Sequence, residues 1–330
     1  DSVASRGLGD VYKGQQYGVV MRKIFMIDGG AGRVIAAIPA LEKYVKNHPN
    51  EDVRIVIFGW DNILWGNSLL QDITYNADTK GIFDEFIRDA DVIVTPEPYR
   101  VPGYFRQELS LAEAFDLEIN QTSDHSDLGV PRLFTNKGEE KNAANLWADV
   151  AAQQKKTKNI VIQPFGRGVR KDRNDIIDDA SRSIEPQDYI KIVKKLSTKY
   201  NLVLFAEQEF HMQDDVYTVK PQMDLRGWIS IIEGADYFIG CDSVGQHMAR
   251  AVGTPGTIIL GSTFAVNTTY PDYFQIIEKE GIERKYSPIR MGGLDGHLAD
   301  RLNDRCMEFS DKELDSIVEK IVADIEKKVK

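Results

Sequence analysis

Three segments carry residue types whose spacing could do chemistry on an anion or a sugar. The longest is Ile239-Gly240-Cys241-Asp242-Ser243-Val244-Gly245-Gln246-His247-Met248-Ala249-Arg250-Ala251-Val252-Gly253-Thr254-Pro255. It reads as a strand ending in Asp-Ser, then a small helix that Gly253-Thr254-Pro255 stops. Ser243, Gly245 and His247 then surround a helix N-terminus at the carboxyl edge of a sheet, where amides and a hydroxyl suit a diphosphate. A histidine on such a helix can equally be a core residue, and both readings stand. The second segment, Ile27-Asp28-Gly29-Gly30-Ala31-Gly32-Arg33, lies between a strand and a helix with Val34, Ile35, Ile38 and Leu41 on one face. Its glycines would let backbone amides approach a ligand beside a helix dipole of about half a positive charge. A ligand-free turn capped by Asp28 is the alternative. The spacing is not the dinucleotide G-x-G-x-x-G, which argues against a nicotinamide cofactor. The third segment, Gly166-Arg167-Gly168-Val169-Arg170-Lys171-Asp172-Arg173, reads as a flexible loop, either a local positive site at the same sheet edge or a solvated charge run.

Strand-like runs alternate with helix-like ones from Met21 onward, the pattern of parallel sheets covered on both faces, so the class is α/β. Lys23 to Ile27, Val53 to Phe58 and Asp91 to Val94 form one set of strand candidates. Asn159 to Gln163, Leu202 to Phe205, Tyr237 to Ile239 and Thr257 to Leu260 form a second, which suggests two sheets. The polar interval from Glu139 to Asn159, with a short helix around Leu146, puts a domain boundary near 150, hence domains 21–150 and 151–330. Leu314, Ile317, Val318, Ile321, Val322, Ile325 and Val329 recur at helical spacing behind a Ser310/Glu313 capping box, an amphipathic closing helix. Residues 1–20 lack either periodicity and read as a non-native leader; Ser2 to Gln15 resembles translated adapter DNA.

A chain of 330 residues exceeds what one core usually holds, roughly 250–300 residues. The net charge of -10, from 41 Lys and Arg against 51 Asp and Glu, disfavours a DNA partner and leaves room for a local basic pocket. Two cysteines, Cys241 and Cys306, build no disulfide framework, which fits a cytoplasmic protein. Asp124-His125-Ser126-Asp127 has metal-like residue types without a second cluster at ligand spacing and reads as a polar loop. Trp60 and Trp65 could stack on a sugar or belong to the core. His297, in a late Gly-rich stretch, has no assigned role.

Several of these residues carry a resemblance to glycosyltransferase family 9, the ADP-heptose:lipopolysaccharide heptosyltransferases. Gly32-Arg33-Val34-Ile35-Ala36-Ala37-Ile38-Pro39-Ala40-Leu41 is similar to the family's Gly-Asp-Val-Ile-x-x-Leu-Pro-Ala-Leu helix. Asp242-Ser243-Val244-Gly245-Gln246-His247-Met248-Ala249 resembles its Asp-Ser/Thr-Gly-x-x-His-x-Ala segment. Gly253-Thr254-Pro255 and Leu260-Gly261-Ser262-Thr263 resemble its Gly-x-Pro strand and Phe-Gly-x-Thr turn. About half the chain is covered; 60–140 has no match.

The resemblance implies the GT-B fold, two Rossmann-like domains facing across a cleft, and a metal-independent, inverting glycosyltransferase without a cofactor. The donor would be a nucleotide diphosphate sugar, with ADP one candidate base, bound by the second domain. The acceptor would be a glycan or lipid-linked sugar, lipopolysaccharide-like, with peripheral membrane contact and a monomeric enzyme expected. Gly30, Gly32, Arg33, Asp242, Ser243, Val244, Gly245 and His247 fall on the donor site, and Arg167 on the leaving diphosphate. Arg182 stands where the family has a phosphate-contacting Lys, and Glu207 resembles its ribose-binding acid, with Glu209 competing. Two departures matter. Arg33 occupies the place of the family's general base and cannot take a proton, which moves that role to Asp28, with Asp124, His125 and Asp127 in reserve. Val244 stands where the family has Gly. Loss of the base makes an inactive nucleotide-sugar-binding protein the main alternative; a viral DNA-base glycosyltransferase is a further one.

Overall fold

The structure, a computed structural model, describes residues 20–166, 169–172, 175–178, 182–206, 216–219, 224–282, 285 and 306–329. The first half runs β1 (Arg22–Ile27), α1 (Ala31–Asn47), β2 (Asp52–Ile57), β3 (Thr74–Asn76), β4 (Val92–Val94), α2 (Pro102–Phe105), α3 (Leu111–Asn120) and α4 (Lys137–Gln154). The second runs β5 (Asn159–Gln163), β6 (Val169–Asp172), β7 (Asp175–Asp178), α5 (Pro186–Leu196), β8 (Asn201–Phe205), β9 (Tyr217–Val219), α6 (Leu225–Glu233), β10 (Tyr237–Gly240) and α7 (Val244–Val252). It ends with β11 (Gly256–Leu260), α8 (Ala265–Thr268), β12 (Gln275–Glu278) and α9 (Asp311–Lys328).

The strands form a parallel sheet in the order β3-β2-β1-β4 and a larger one in the order β12-β11-β10-β5-β8-β9. Each βαβ step buries apolar side chains on both sheet faces, which is why strands such as NLVLF are buried throughout. All seven anticipated strands are present within a residue of their expected ends. The short edge strands β3, β9 and β12 were missed, since three or four residues at a sheet margin carry no readable alternation.

Two expectations are corrected. The basic segment is not a loop: β6 and β7 pair as an antiparallel hairpin from Val169↔Asp178 to Asp172↔Asp175. The short helix near Leu146 is α4, eighteen residues opened by an Asn136/Glu139 capping box. Residue 150 falls inside α4, whose Trp147 indole donates to Ile231 O of α6 at 3.1 Å, so α4 packs with the second sheet. We therefore propose that the domain division precedes α4 rather than following it.

The two halves are bound by specific contacts. Arg226 is buried, makes a bidentate pair with Glu139 at 2.8 and 2.6 Å, and donates to Trp65 O at 3.1 Å and Phe134 O at 2.7 Å. Asn267 donates its amide to Tyr104 O at 2.7 Å and Leu109 O at 3.0 Å across the junction. One apolar cluster runs from Phe25 and Ile35 through Trp147 and Ile229 to Met248 and Phe274. The closing helix α9 packs Leu314, Ile317, Ile321 and Ile325 into the second half's other cluster, as its spacing predicts.

Candidate functional site

The carboxyl ends of β1 and β10 lead into the N-termini of α1 and α7, and these four features make the site. Past β1, Gly29 turns the chain with φ 96°, a backbone that a β-carbon would strain, so the turn depends on the one glycine that sequence reasoning passed over. Gly30 caps α1 in an extended conformation, and a methyl there would meet nothing within 4 Å. Gly32 is small for a different reason. A methyl at this position would come to 2.8 Å from His247 Cδ2 and 3.3 Å from Nε2, so the imidazole of α7 lies directly against the first turn of α1. Two segments distant in sequence thus meet in space.

His247 is buried, and its Nδ1 shares a 2.9 Å hydrogen bond with the Tyr270 hydroxyl. Burial, reinforced by the positive charge of Arg182, holds the imidazole down at about 4, so the ring is neutral at pH 7. Asp242, buried at the end of β10, is pushed above the usual carboxylate range by that burial, against the pull of Arg182 and Thr263. Arg182 Nη1 stands 3.7 Å from Asp242 Oδ2. The backbone around Arg182 is fixed: the N–H groups of Arg182 and Ser183 donate to Asp178 Oδ2 at 3.1 and 2.8 Å, and Gly166 N–H donates to Ser183 Oγ at 2.9 Å. The end of the hairpin and the loop after β5 are tied together by these bonds.

Ser243 caps α7 with extended backbone, yet its hydroxyl makes no cap hydrogen bond. Gln246 Oε1 is buried with no hydrogen-bond partner among the described residues, and the Ser243 hydroxyl lies against the buried Cys241 thiol, a weak partner. Buried polar atoms are partnered in roughly 90% of cases, so an unpartnered amide oxygen and a weakly engaged hydroxyl at the start of one helix are groups that a ligand could complete. Gly245 has a structural role: its N–H is spent on Gln163 Oε1 at 2.8 Å, and a methyl would sit 2.1 Å from that oxygen. Its amide, expected to meet a phosphate, is engaged by Gln163 in this structure. Val244 is half-buried against the shared core.

Arg33, expected at the donor site, is engaged within the first half. Its side chain is 3% exposed and stays within the first half. It donates to Pro96 O at 2.7 Å, pairs with Glu97 Oε1 at 3.2 Å and Asp28 Oδ1 at 3.3 Å, and lies over the rings of Tyr99 and Phe115. Arg33 braces the loop after β4 and holds the Asp28 carboxylate, which is itself 55% exposed at the sheet edge.

The reserve bases lie elsewhere. His125 bonds Asp116 at 2.7 Å, and Lys43 reaches Asp116 at 3.1 Å and Asp127 at 2.5 Å, near the far end of α1. Lys43 is twelve residues beyond Ala31, roughly 18 Å at about 1.5 Å per residue. Among the described residues no group of three or more His, Cys, Asp or Glu is arranged to hold a metal. Both cysteines are buried and in no disulfide, Cys306 pushed up to about 11 by burial and Cys241 higher still for the same reason. Trp60 is half-buried against the core, and Trp65 is exposed. Arg167, Arg173, Glu207, Glu209 and His297 lie outside the described residues.

Sequence reasoning missed Tyr270, Gln163, Glu97 and Tyr104. The first three act through contacts at least 23 residues away in sequence, and nothing local marks them. Tyr104 is buried with its phenol in electrostatic range of Asp242, Arg182 and Arg33.

No family model matches this chain, and no curated protein does. Solved structures match its fold over most of its length. A structure titled as the glycosyl transferase family 9 from Veillonella parvula DSM 2008 aligns with TM-score 0.67 and 12% identity, covering 92% of this chain and 98% of that one. The E. coli ADP-heptose lps heptosyltransferase II aligns with TM-score 0.57 and 14% identity over 90% and 99%. The iron-containing dodecameric glycosyltransferase TibC from enterotoxigenic E. coli H10407 aligns with TM-score 0.58 and 11% identity over 92% and 78%. The chain has the two-sheet α/β architecture of these proteins, the GT-B fold.

Proposed function

We propose that this chain is a glycosyltransferase that moves a sugar from a nucleotide diphosphate sugar to a hydroxyl acceptor with inversion at the anomeric carbon. The observation that carries the reading is the meeting of the two helix N-termini: the exposed Asp28 carboxylate on one side, and Ser243, Asp242 and Arg182 around the start of α7 on the other. An ADP-linked donor is favoured by the ADP-heptose enzyme among the structural neighbours.

In this mechanism the acceptor hydroxyl attacks the anomeric carbon while the Asp28 carboxylate takes its proton, and the bond from carbon to the diphosphate oxygen breaks. The electron pair leaves on the diphosphate, whose growing charge is met by the α7 dipole, the Ser243 hydroxyl and the Arg182 cation, so no metal is needed for that task. Arg33, braced by Pro96 and Glu97, holds the Asp28 carboxylate through Oδ1 at 3.3 Å. Neutral His247 contributes a polar wall and packing rather than charge. Among the described residues no helix is long and apolar enough to cross a membrane, so a lipid-linked acceptor would be met from the surface.

A thermal-shift screen of ADP-, UDP-, GDP- and CDP-sugars tests the donor site, because binding raises the melting temperature by mass action. Turnover that falls about 10²- to 10⁴-fold in Asp28→Asn, with the shift retained, supports the enzyme and its base. Arg33 in place of a carboxylate favours the second reading, a nucleotide-sugar-binding protein, and tight binding without turnover in the intact chain would establish it. Absence of a shift with every nucleotide would refute both.

A further inference from the structure

The first half presents a feature that this chemistry leaves unused. One residue past the paired Ile27 and Ile57, Asp28 and Phe58 stand on adjacent parallel strands, with Phe58 N–H donating to Ile27 O at 3.0 Å. Phe58 is 50% exposed, unlike Ile55, Val56 and Ile57 before it, which are buried. The chain behind it turns sharply: Gly59 and Trp60 both have left-handed backbones, φ 76° and 68°. That conformation is unfavourable for a bulky residue and tends to persist where function requires it. The turn sends Trp60 back against the core and lets Asn76 bond Asp61 at 2.6 Å, leaving the Phe58 ring at the carboxyl edge of the sheet. No Lys, Arg or His occurs between Arg54 and Lys80, whereas Asp61, Asp72 and Asp78 do. The exposed cations Arg100 and Arg106 follow β4, on the opposite side of β1.

We propose that Phe58 is the stacking surface of the acceptor subsite and selects an uncharged sugar ring, whose apolar C–H face lies on the phenyl while a hydroxyl points to Asp28. This rests on the glycosyltransferase reading of the site. An aromatic face beside a carboxylate, with no Lys, Arg or His between Arg54 and Lys80 and with the neighbouring Arg33 already paired with Asp28 and Glu97, suits a neutral pyranoside and disfavours an anionic one at this position.

Saturation-transfer NMR on the full chain, with the methyl glycosides of glucose, galactose, mannose and N-acetylglucosamine and with methyl glucuronide as the anionic probe, tests the subsite. A neutral glycoside should show transfer on the protons of one ring face and bind more tightly than the glucuronide. Affinity should fall about tenfold in Phe58→Ala and return in Phe58→Tyr. It should be unchanged in Phe83→Ala, which removes an equally exposed phenyl elsewhere. Transfer indifferent to Phe58→Ala, equal or stronger binding of the glucuronide, or no transfer from any neutral probe each overturns the proposal. A melting shift with a nucleotide sugar in that last case leaves the donor reading standing, while glycoside binding without any nucleotide shift sinks the donor reading alone.

Discussion

The contact between Gly32 and His247 supports a double-mutant test. In Gly32→Ala the new methyl would lie 2.8 Å from Cδ2 of a ring that is buried and tied to Tyr270, so the ring or the α1–α7 spacing must give way. Overpacking of this kind costs about 1–3 kcal/mol. Alanine returns less than about 1 kcal/mol of helix propensity, since Gly32 sits in the first turn. The net expectation is a loss of about 1–2 kcal/mol, read as a lower urea midpoint with an unchanged slope. In a His247→Ala background the same substitution meets no ring and should be neutral or stabilising by a few tenths of a kcal/mol, giving a coupling energy of about 1–2 kcal/mol. Equal effects of Gly32→Ala in both backgrounds would refute the claim that His247 is what keeps position 32 small. If the site reading is also right, Gly32→Ala should weaken nucleotide-sugar binding by moving α7, measured by calorimetry on the same variants.

Two further outcomes are expected. His247 carries an ordinary value of 6.5 when unfolded and about 4 in the folded chain, so the unfolded state binds the extra proton between those values. Its contribution therefore lowers stability progressively as pH falls from about 6.5 to 4, by up to about 3 kcal/mol, and is absent above 6.5. His247→Gln should flatten that part of the stability–pH curve, and an unaltered slope would argue against a buried neutral imidazole. Ser243→Ala removes a hydroxyl whose partner is the weakly bonding Cys241 thiol, so the free protein should keep its stability within about 0.5 kcal/mol while nucleotide-sugar affinity falls about tenfold. A clear destabilisation with unchanged affinity would show that the hydroxyl serves the fold.

The amino-acid order by itself determined the α/β class, the two strand sets, the closing helix and the two strand-to-helix turns. These rest on hydrophobic period, capping boxes and strand-turn-helix grammar, all of which act within a few residues. Asp28 and Ser243 were legible for that reason, since each ends a strand that can be seen locally. Tertiary structure decided which of the marked residues are committed to partners inside the fold. Gly245 is small because Gln163 reaches across from β5, and Gly32 because His247 arrives from α7. Arg33 is turned onto Pro96 and Glu97 by a loop more than sixty residues away, so its charge is used inside the first half. A single residue type cannot reveal such partners, because close packing and burial are properties of the assembled helices and sheets rather than of any one segment. The exposed Phe58 makes the same point in the opposite sense. Its sequence context reads as one more buried strand residue, and only the sheet edge and the left-handed turn behind it place the ring in the open.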